Sequence, residues 1–425
     1  MRKRKYNIAL VAGGTAGHVF PMVTLSQILF PRHNVWCFTD RRGLQYCDKQ
    51  QAVKSTDFAP KHEKEKTQNH DEQQKLESKK CNQIGNKNQI KTITLPILYT
   101  SGKSILRKLI FLLSLIFSFF ISLCYLWRNQ IDLVVSFGGY ASFPTTLAAI
   151  VLRRKLVIHE QNSVLGRVNR MFLSYADLIA TSFLNTIYLP EKYRSKVFNS
   201  GMIIRPDFKL SKKLKRNNGL YRIFIIGGSQ GATIFSSVIP EAIQNLDRKL
   251  RQKIYITQQA RIEFVEQTAK EYSTMDLGGY QVAPFFDDAI IHIAEADLVI
   301  ARAGASTIAE LAYNKVPAIL VPLPNSSDNH QYYNAVEVAK QHGAIVLCQN
   351  KIMAPTTGIA AKLIPDWCGD ISPQFDADNL SAILSKLFVE GKISVMRNSA
   401  KQKAAANFLC DLGASLALRI NRLLI

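Results

Sequence analysis

The stretches Asn7-Ile-Ala-Leu-Val-Ala-Gly-Gly-Thr-Ala-Gly-His18 and Tyr221-Arg-Ile-Phe-Ile-Ile-Gly-Gly-Ser-Gln-Gly-Ala232 repeat one pattern. Each is a short apolar run that ends in Gly-Gly, then a hydroxyl residue and a further small-residue turn. An amphipathic stretch follows each. This order predicts a strand, a tight loop and a helix N-terminus, where backbone amides can approach a diphosphate. Two such units, opening at residues 7 and 221, predict an α/β protein of two Rossmann-like domains with a substrate cleft between them. Such a cleft suits an enzyme that uses a nucleotide-diphosphate donor.

Outward from the first loop, Asn34 to Thr39, Ile131 to Ser136, Lys155 to His159 and Asp177 to Thr181 read as strands. A hinge falls near Ser200-Gly-Met-Ile-Ile-Arg205-Pro206. The second half repeats the rhythm, with strands at 222–226, 253–257, 280–283, 297–301 and 317–321. Alternating strands and helices imply parallel, doubly wound sheets. The expected domains are 1–204 and 205–407, with a last helical stretch at 408–425 crossing back onto the first domain. Residues 49–91 are rich in Lys, Gln, Asn and Glu, cannot bury a core, and read as a surface insertion. Residues 350–375 read as a second insertion without legible chemistry.

The 425 residues suffice for two ordinary domains, and 47% apolar against 20% charged residues favours a folded enzyme over a disordered binder. The formal charge of +22 admits nucleic acid, an anionic membrane or an acidic substrate as partner. No Arg-rich helix, zinc-finger spacing or aromatic RNA-binding signature accompanies it, so nucleic acid is not expected. The seven cysteines are scattered and never form a CxxC pair. That fits reduced thiols in a cytosolic compartment and offers no metal framework. Behind the basic Met1-Arg-Lys-Arg-Lys5, the apolar run Ile8 to Ala12 is too short for a signal core, so no export is expected.

Leu109 to Trp127 carries no charge and is long enough to span a bilayer. A span there would put Thr15 and His18 on one side and both later motif groups on the other, which breaks the shared cleft. A helix buried against the first sheet is a second placement. The third, and the expected one, is an interfacial helix, because Lys103, Arg107, Lys108 and Arg128 flank the segment and suit anionic headgroups.

His18 stands where the first glycine loop meets its helix. A neutral imidazole there can deprotonate a hydroxyl, since its pKa lies near working pH; a histidine that packs the helix start is the plain alternative. Asn162 ends a strand, where α/β sheets place ligand-binding groups, and either bonds a sugar hydroxyl or forms a turn. Tyr140 and Ser142 follow a Gly-Gly turn and suit an acceptor pocket or loop packing. Ser229, Gln230 and Gly231 open the second helix, whose amides and dipole suit charge growing on a diphosphate leaving group; Ser229 equally suits an N-cap. Arg205 can pair with a phosphate. Asp376-Ala-Asp378 spells the DxD of metal-dependent sugar transferases, but it precedes a helix expected at Leu380 to Leu387, where acidic residues are routine. No metal and no cofactor are expected.

The chain resembles the MurG family of bacterial glycosyltransferases at six ordered blocks. They are Gly13-Gly-Thr-Ala-Gly-His-Val-Phe-Pro21, Gly138-Gly-Tyr-Ala-Ser142, His159-Glu-Gln-Asn162, Gly227-Gly-Ser-Gln-Gly-Ala232, Arg302-Ala-Gly-Ala-Ser-Thr-Ile-Ala-Glu310 and Asp328-Asn-His-Gln-Tyr-Tyr-Asn334. The resemblance implies a GT-B fold and inverting transfer of N-acetylglucosamine from UDP-N-acetylglucosamine. The acceptor would be the 4-hydroxyl of undecaprenyl-pyrophosphoryl-N-acetylmuramoyl-pentapeptide, in peptidoglycan synthesis. It implies a peripheral enzyme at the cytoplasmic face of the inner membrane, with an anionic membrane surface and other cell-wall synthesis proteins as partners.

Residue by residue, the resemblance makes His18 the base and puts Thr15, Ala16, Gly17, Asn162, Arg205 and Ser229 at the donor. The run Ala305, Ser306, Thr307, Ile308, Ala309 and Glu310 joins them, with Glu310 accepting from both ribose hydroxyls. Phe286 would offer its backbone to uracil, Gln331 would bond the transferred sugar, and Tyr140 and Ser142 would meet the acceptor. His330 is expected to support its loop. Two departures stand out: Ala16 replaces the family's usual glycine, and Met202-Ile203 stands where the family favours Asn-Pro shortly before the arginine. Another GT-B lipid glycosyltransferase, a sugar-nucleotide epimerase and an inactive membrane scaffold are the rival readings.

Overall fold

A computed structural model describes residues 4–47, 90–98, 104–205, 219–228, 231–342, 344–349, 364–368, 372–407, 410–411 and 413–425. The apolar runs form two parallel sheets. The first holds β1 (Asn7–Val11), β2 (Asn34–Asp40), β3 (Lys91–Leu95), β4 (Leu133–Ser136), β5 (Lys155–Glu160), β6 (Leu178–Thr181) and β7 (Val197–Asn199), in the order β3-β2-β1-β4-β5-β6-β7. A short β8 (Met202–Ile203) leads to the second sheet. That sheet holds β9 (Tyr221–Ile226), β10 (Ile254–Gln259), β11 (Gly279–Ala283), β12 (Leu298–Ala301), β13 (Ala318–Leu320) and β14 (Ile345–Val346), in the order β11-β10-β9-β12-β13-β14. β15 (Cys410–Asp411) pairs with β8. The strands expected from the sequence are present, with ends shifted by a residue or two. Lys91, assigned above to the insertion, opens β3 instead; the rest of 49–91 lies outside the described residues, apart from Ile90.

Both sheets bury two faces under helices, which is why their strands read as continuous apolar runs rather than alternating ones. β1 sits between β2 and β4, and β9 between β10 and β12. These are the switch points where strand order reverses, and open α/β sheets bind ligands at the carboxyl ends there. The first glycine loop leads into α1 (Ala16–Leu29). A Cβ at Gly13 would lie 2.0 Å from the Cβ of Ala141, so glycine at that position lets the turn after β4 close over the loop.

α2 (Ile105–Arg128) is among the described residues the helix long and apolar enough to cross a membrane. It is amphipathic in an inverted sense. Its buried residues are Ser114, Ser118, Ser122 and Leu126, on one face at four-residue spacing. That face lies along α3 (Phe143–Val151), where Ser122 Oγ and Thr145 Oγ1 are 2.9 Å apart. Small side chains let the two backbones approach closely. The opposite face exposes Phe117 at 61%, Phe120 at 59% and Trp127 at 68%. The segment is therefore not a helix simply buried against the first sheet.

The second domain adds α4 (Thr233–Gln244), α5 (Ala305–Asn314), α6 (His330–His342) and α7 (Ala377–Phe388). The last helix, α8 (Ala414–Leu424), packs Leu416, Ile420 and Leu424 into one apolar cluster with Ile8, Leu10 and Leu25 of the first sheet and α1. His33 Nε2 and Asn421 Oδ1, 2.7 Å apart, tether it.

Candidate active site

The two glycine loops open on one cleft of about 1170 Å3 between the domains. The first loop brings Thr15, Ala16, Gly17 and His18 to it, and Tyr140 and Asn162 come from the ends of the neighbouring strands. Across the gap stand Gly231, Ala305, Ser306, Thr307 and Gln331. Ser229 and Gln230 lie outside the described residues.

Thr15 precedes α1 and its hydroxyl does not cap the helix. Instead Thr15 Oγ1 lies 2.8 Å from His18 Nδ1. In the tautomer that donates Nδ1–H to Thr15, the lone pair of His18 Nε2 is left to accept a proton. Burial pushes the His18 ring down to about 4, with a smaller contribution from nearby His330. The ring is half-buried and opens on the cleft, so it is neutral at neutral pH. His330 Nδ1 lies 2.8 Å from the Ser327 carbonyl oxygen, which accepts from it, so His330 supports its loop as expected. Gln331 Oε1 accepts from Leu323 N at 3.0 Å, leaving its NH2 group for a ligand.

Three buried polar residues without an assigned role organise the rest. Asp40, at the end of β2, accepts from Gly14 N at 3.2 Å and Gly43 N at 2.8 Å. Its other oxygen accepts from the Tyr140 hydroxyl at 2.6 Å. The Tyr140 hydroxyl is thus engaged within the fold, and Arg42 lies over its ring at 5.2 Å. Glu160 ends β5 and is a hub. Its Oε1 accepts from Asn162 N and Nδ2 at 3.0 and 3.1 Å, and its Oε2 from Gly166 N and Asn169 Nδ2 at 2.8 and 2.9 Å. Burial raises its pKa while these four hydrogen bonds pull it back.

Asn334 of α6 joins the domains. Its Oδ1 accepts from Ser163 N at 2.7 Å and Ser163 Oγ at 2.9 Å, and its Nδ2 donates to Asn162 Oδ1 at 3.1 Å and to the Ala303 carbonyl at 3.2 Å. Asn162 is held from both ends, with one N–H and one lone pair left over. Asp328 forms a second tie, pairing with Arg167 at 3.0 Å and with Arg170. These partners hold its carboxyl below the usual carboxylate range. Glu160 and Asn334 stand inside blocks quoted above; for Glu160 a single charged residue closing an apolar strand was the available signal.

Several of the expected site residues make contacts within the fold. Ser142 is buried and its hydroxyl donates to the Gly139 carbonyl at 2.8 Å, so it shapes the turn. Ile308 and Ala309 are buried in the apolar cluster beneath α5, and their side chains do not face the cleft. Phe286 is buried edge-on to Phe224 at 5.9 Å, which leaves only its backbone for a base. Glu310 is 9% exposed, and its Oε1 accepts from Arg205 Nη2 at 3.2 Å. Arg205 also stacks over the Phe20 ring of α1 at 4.9 Å, so its charge meets a carboxylate and an aromatic face rather than lining the cleft.

The cations that do line the cleft include Arg261 and Arg302. Arg261 packs against Gly231 of the second glycine loop and donates to Thr233 Oγ1 at 3.3 Å. Arg302 donates to the Val321 and Pro322 carbonyls at 3.1 Å, and burial lowers it to about 10, so it stays charged at neutral pH. The DxD motif has a structural use. Asp376 caps α7, accepting from Asn379 N at 2.8 Å and Asn379 Nδ2 at 2.7 Å.

Two doubly wound domains that each bring a glycine loop to one cleft define the GT-B class. The sequence agrees: the N-terminal domain of glycosyltransferase family 28 matches residues 8–181, and the C-terminal domain of that family matches residues 222–363. A Rickettsia canadensis protein named UDP-N-acetylglucosamine--N-acetylmuramyl-(pentapeptide) pyrophosphoryl-undecaprenol N-acetylglucosamine transferase is 36% identical over 351 residues, 82% of this chain and 87% of its own length. A Rickettsia bellii protein of the same name is 39% identical over 334 residues, 77% of this chain and 82% of its own. The chain belongs to the MurG family of glycosyltransferases. The crystal structure of Acinetobacter baumannii MurG shares the fold with a TM-score of 0.65 at 22% identity, over 98% of this chain and 99% of that one.

Proposed function

We propose that the chain transfers N-acetylglucosamine from UDP-N-acetylglucosamine to the 4-hydroxyl of undecaprenyl-pyrophosphoryl-N-acetylmuramoyl-pentapeptide, working as a peripheral enzyme at the cytoplasmic face of the inner membrane. The observation that carries this reading is the neutral His18 ring, held by Thr15, facing the Ala305–Thr307 turn and Gln331 across one cleft. The acceptor oxygen attacks the anomeric carbon on the face opposite UDP. The bond from that carbon to the β-phosphate oxygen breaks, and UDP leaves with the electron pair. The hydroxyl proton passes to His18 Nε2. Charge growing on UDP is met by the amides at the start of α4 and by Arg261 beside them. Asn162, fixed by Glu160 and Asn334, offers its remaining N–H and lone pair to a sugar hydroxyl.

The acceptor's lipid tail stays in the bilayer, so the headgroup must be met at the surface. The open apolar face of α2 supports docking there, beside the Tyr140 turn: Phe111 lies edge-on to the Tyr140 ring at 6.0 Å. Purified protein, UDP-N-acetylglucosamine and a short-chain lipid acceptor are expected to yield a β1→4-linked disaccharide lipid, with the same yield in EDTA. Release of free epimerised sugar with no consumption of acceptor would sink the reading.

A further inference from the structure

A second cavity, of about 760 Å3, opens at the other end of the first domain, by the amino ends of β1, β4 and β5. Four cations line it: Arg4, Lys5, Arg128 and Arg154. Its one acid is Asp132, whose Oδ2 already accepts from Asn7 N at 2.8 Å. Among the described residues none of the four cations forms an ion pair. Arg154 Nε is buried without a hydrogen-bond partner. The carbonyl end of α2 faces Arg128, and Arg4 lies over the Tyr6 ring at 5.3 Å; neither contact neutralises a charge. Unpaired like charges gathered around one cavity repel one another, and an anion relieves that repulsion. Trp127, 68% exposed, also lines the cavity and ends the apolar face of α2. Tryptophan favours the headgroup level of a bilayer, where one side of the ring is wet.

We propose that this cavity binds a phosphate group, supplied by the headgroup of an anionic phospholipid, at a site separate from the catalytic cleft. The choice of a lipid as source rests on the membrane reading of α2; the phosphate chemistry does not. Occupation would fix the far end of α2 against the bilayer while its near end stays beside the Tyr140 turn. The helix would then lie along the surface, and the cleft would keep one orientation to it.

The test compares binding of the full chain to vesicles of phosphatidylcholine alone and of phosphatidylcholine with phosphatidylglycerol. R4Q/R154Q and the more exposed pair R4Q/K5Q are set against K249Q/K270Q, which removes equal charge from the second domain. R4Q/K5Q keeps the test open should the half-buried Arg154 be needed for folding. Each pocket pair is expected to lower affinity for the anionic vesicles roughly thirty-fold and to leave binding to neutral vesicles unchanged. The distant pair should cost less than about threefold, since exposed charges beyond a Debye length are screened. Equal losses for all three pairs would overturn the site. A parent chain that binds neutral vesicles without preferring anionic ones would leave the membrane reading standing and overturn the site. A parent chain that binds neither vesicle would overturn the membrane reading and the lipid occupant together. Thermal protection by inorganic phosphate, lost in R4Q/R154Q while anionic-vesicle binding persists, would assign the cavity to a soluble anion and overturn the lipid.

Discussion

In the proposed mechanism His18 is a base held neutral rather than a strong one. With its pKa near 4, it would take the proton only as the new glycosidic bond forms. His18→Ala is expected to lower turnover by about two to four orders of magnitude, with UDP affinity by calorimetry nearly unchanged. Near-normal turnover at saturating acceptor would remove the base assignment. The pH profile carries the same signature. The ring must be unprotonated to act, so kcat/KM should rise as pH rises through about 4 and stay flat from 6 to 8 as far as this group is concerned. An acid limb near pH 6.5 would show instead a solvated ring. Stability follows the same sign. The folded pKa lies below the unfolded one, so this group's contribution is complete above about 6.5 and is lost as pH falls through about 4. Glu310 makes a different prediction. If its carboxylate also accepts from the ribose hydroxyls, Glu310→Ala should weaken UDP binding by about 2–4 kcal/mol and erase discrimination against 2′-deoxy-UDP. Unchanged UDP affinity would leave Glu310 to its pair with Arg205.

At the scale of elements, α2 is the part whose two faces carry opposite instructions. Replacing Phe117 and Phe120 with Asp should weaken vesicle binding while activity on a water-soluble acceptor survives, because both side chains point away from α3. Global unfolding of that variant would show that the face is core. The sequence made α2 visible as an apolar run but left its orientation open, since an all-apolar helix has no polar face to mark solvent. The serines at 114, 118 and 122 held the answer: three small residues at helical spacing mark the side that touches another helix. The central strands were legible because burial on both faces leaves an unbroken apolar run between turn residues. β14 and β15, of two residues each, are too short for any such run. β3 was missed because it follows directly on the polar insertion.

For the whole molecule, the cleft is set by ties between residues far apart in the chain. Asn334 is fully buried and bonds Ser163 and Asn162 of the opposite domain. Asn334→Ala should cost about 1–3 kcal/mol in kcat/KM, because it frees Asn162 and strands the Ser163 amide. UDP binding should change less than transfer, as the donor loops are left intact. Equal loss of UDP affinity and transfer would show that Asn334 serves the second domain alone. Neither this tie nor the Arg167–Asp328 pair could be read from sequence, because its partners stand 171 and 161 positions apart and carry no motif that names the other.

The packing of α8 against α1 also has a temporal side. During translation, the first sheet and α1 emerge early, yet the side of α1 on which α8 packs stays uncovered until residue 414 and its successors leave the ribosome. At ordinary synthesis rates the intervening residues, from 204 to 414, take roughly 10 to 40 s to make. The half of the enzyme that is made first is therefore sealed last. Over that interval a nascent chain shows two apolar strips, one on α2 and one awaiting α8, and only the second will close.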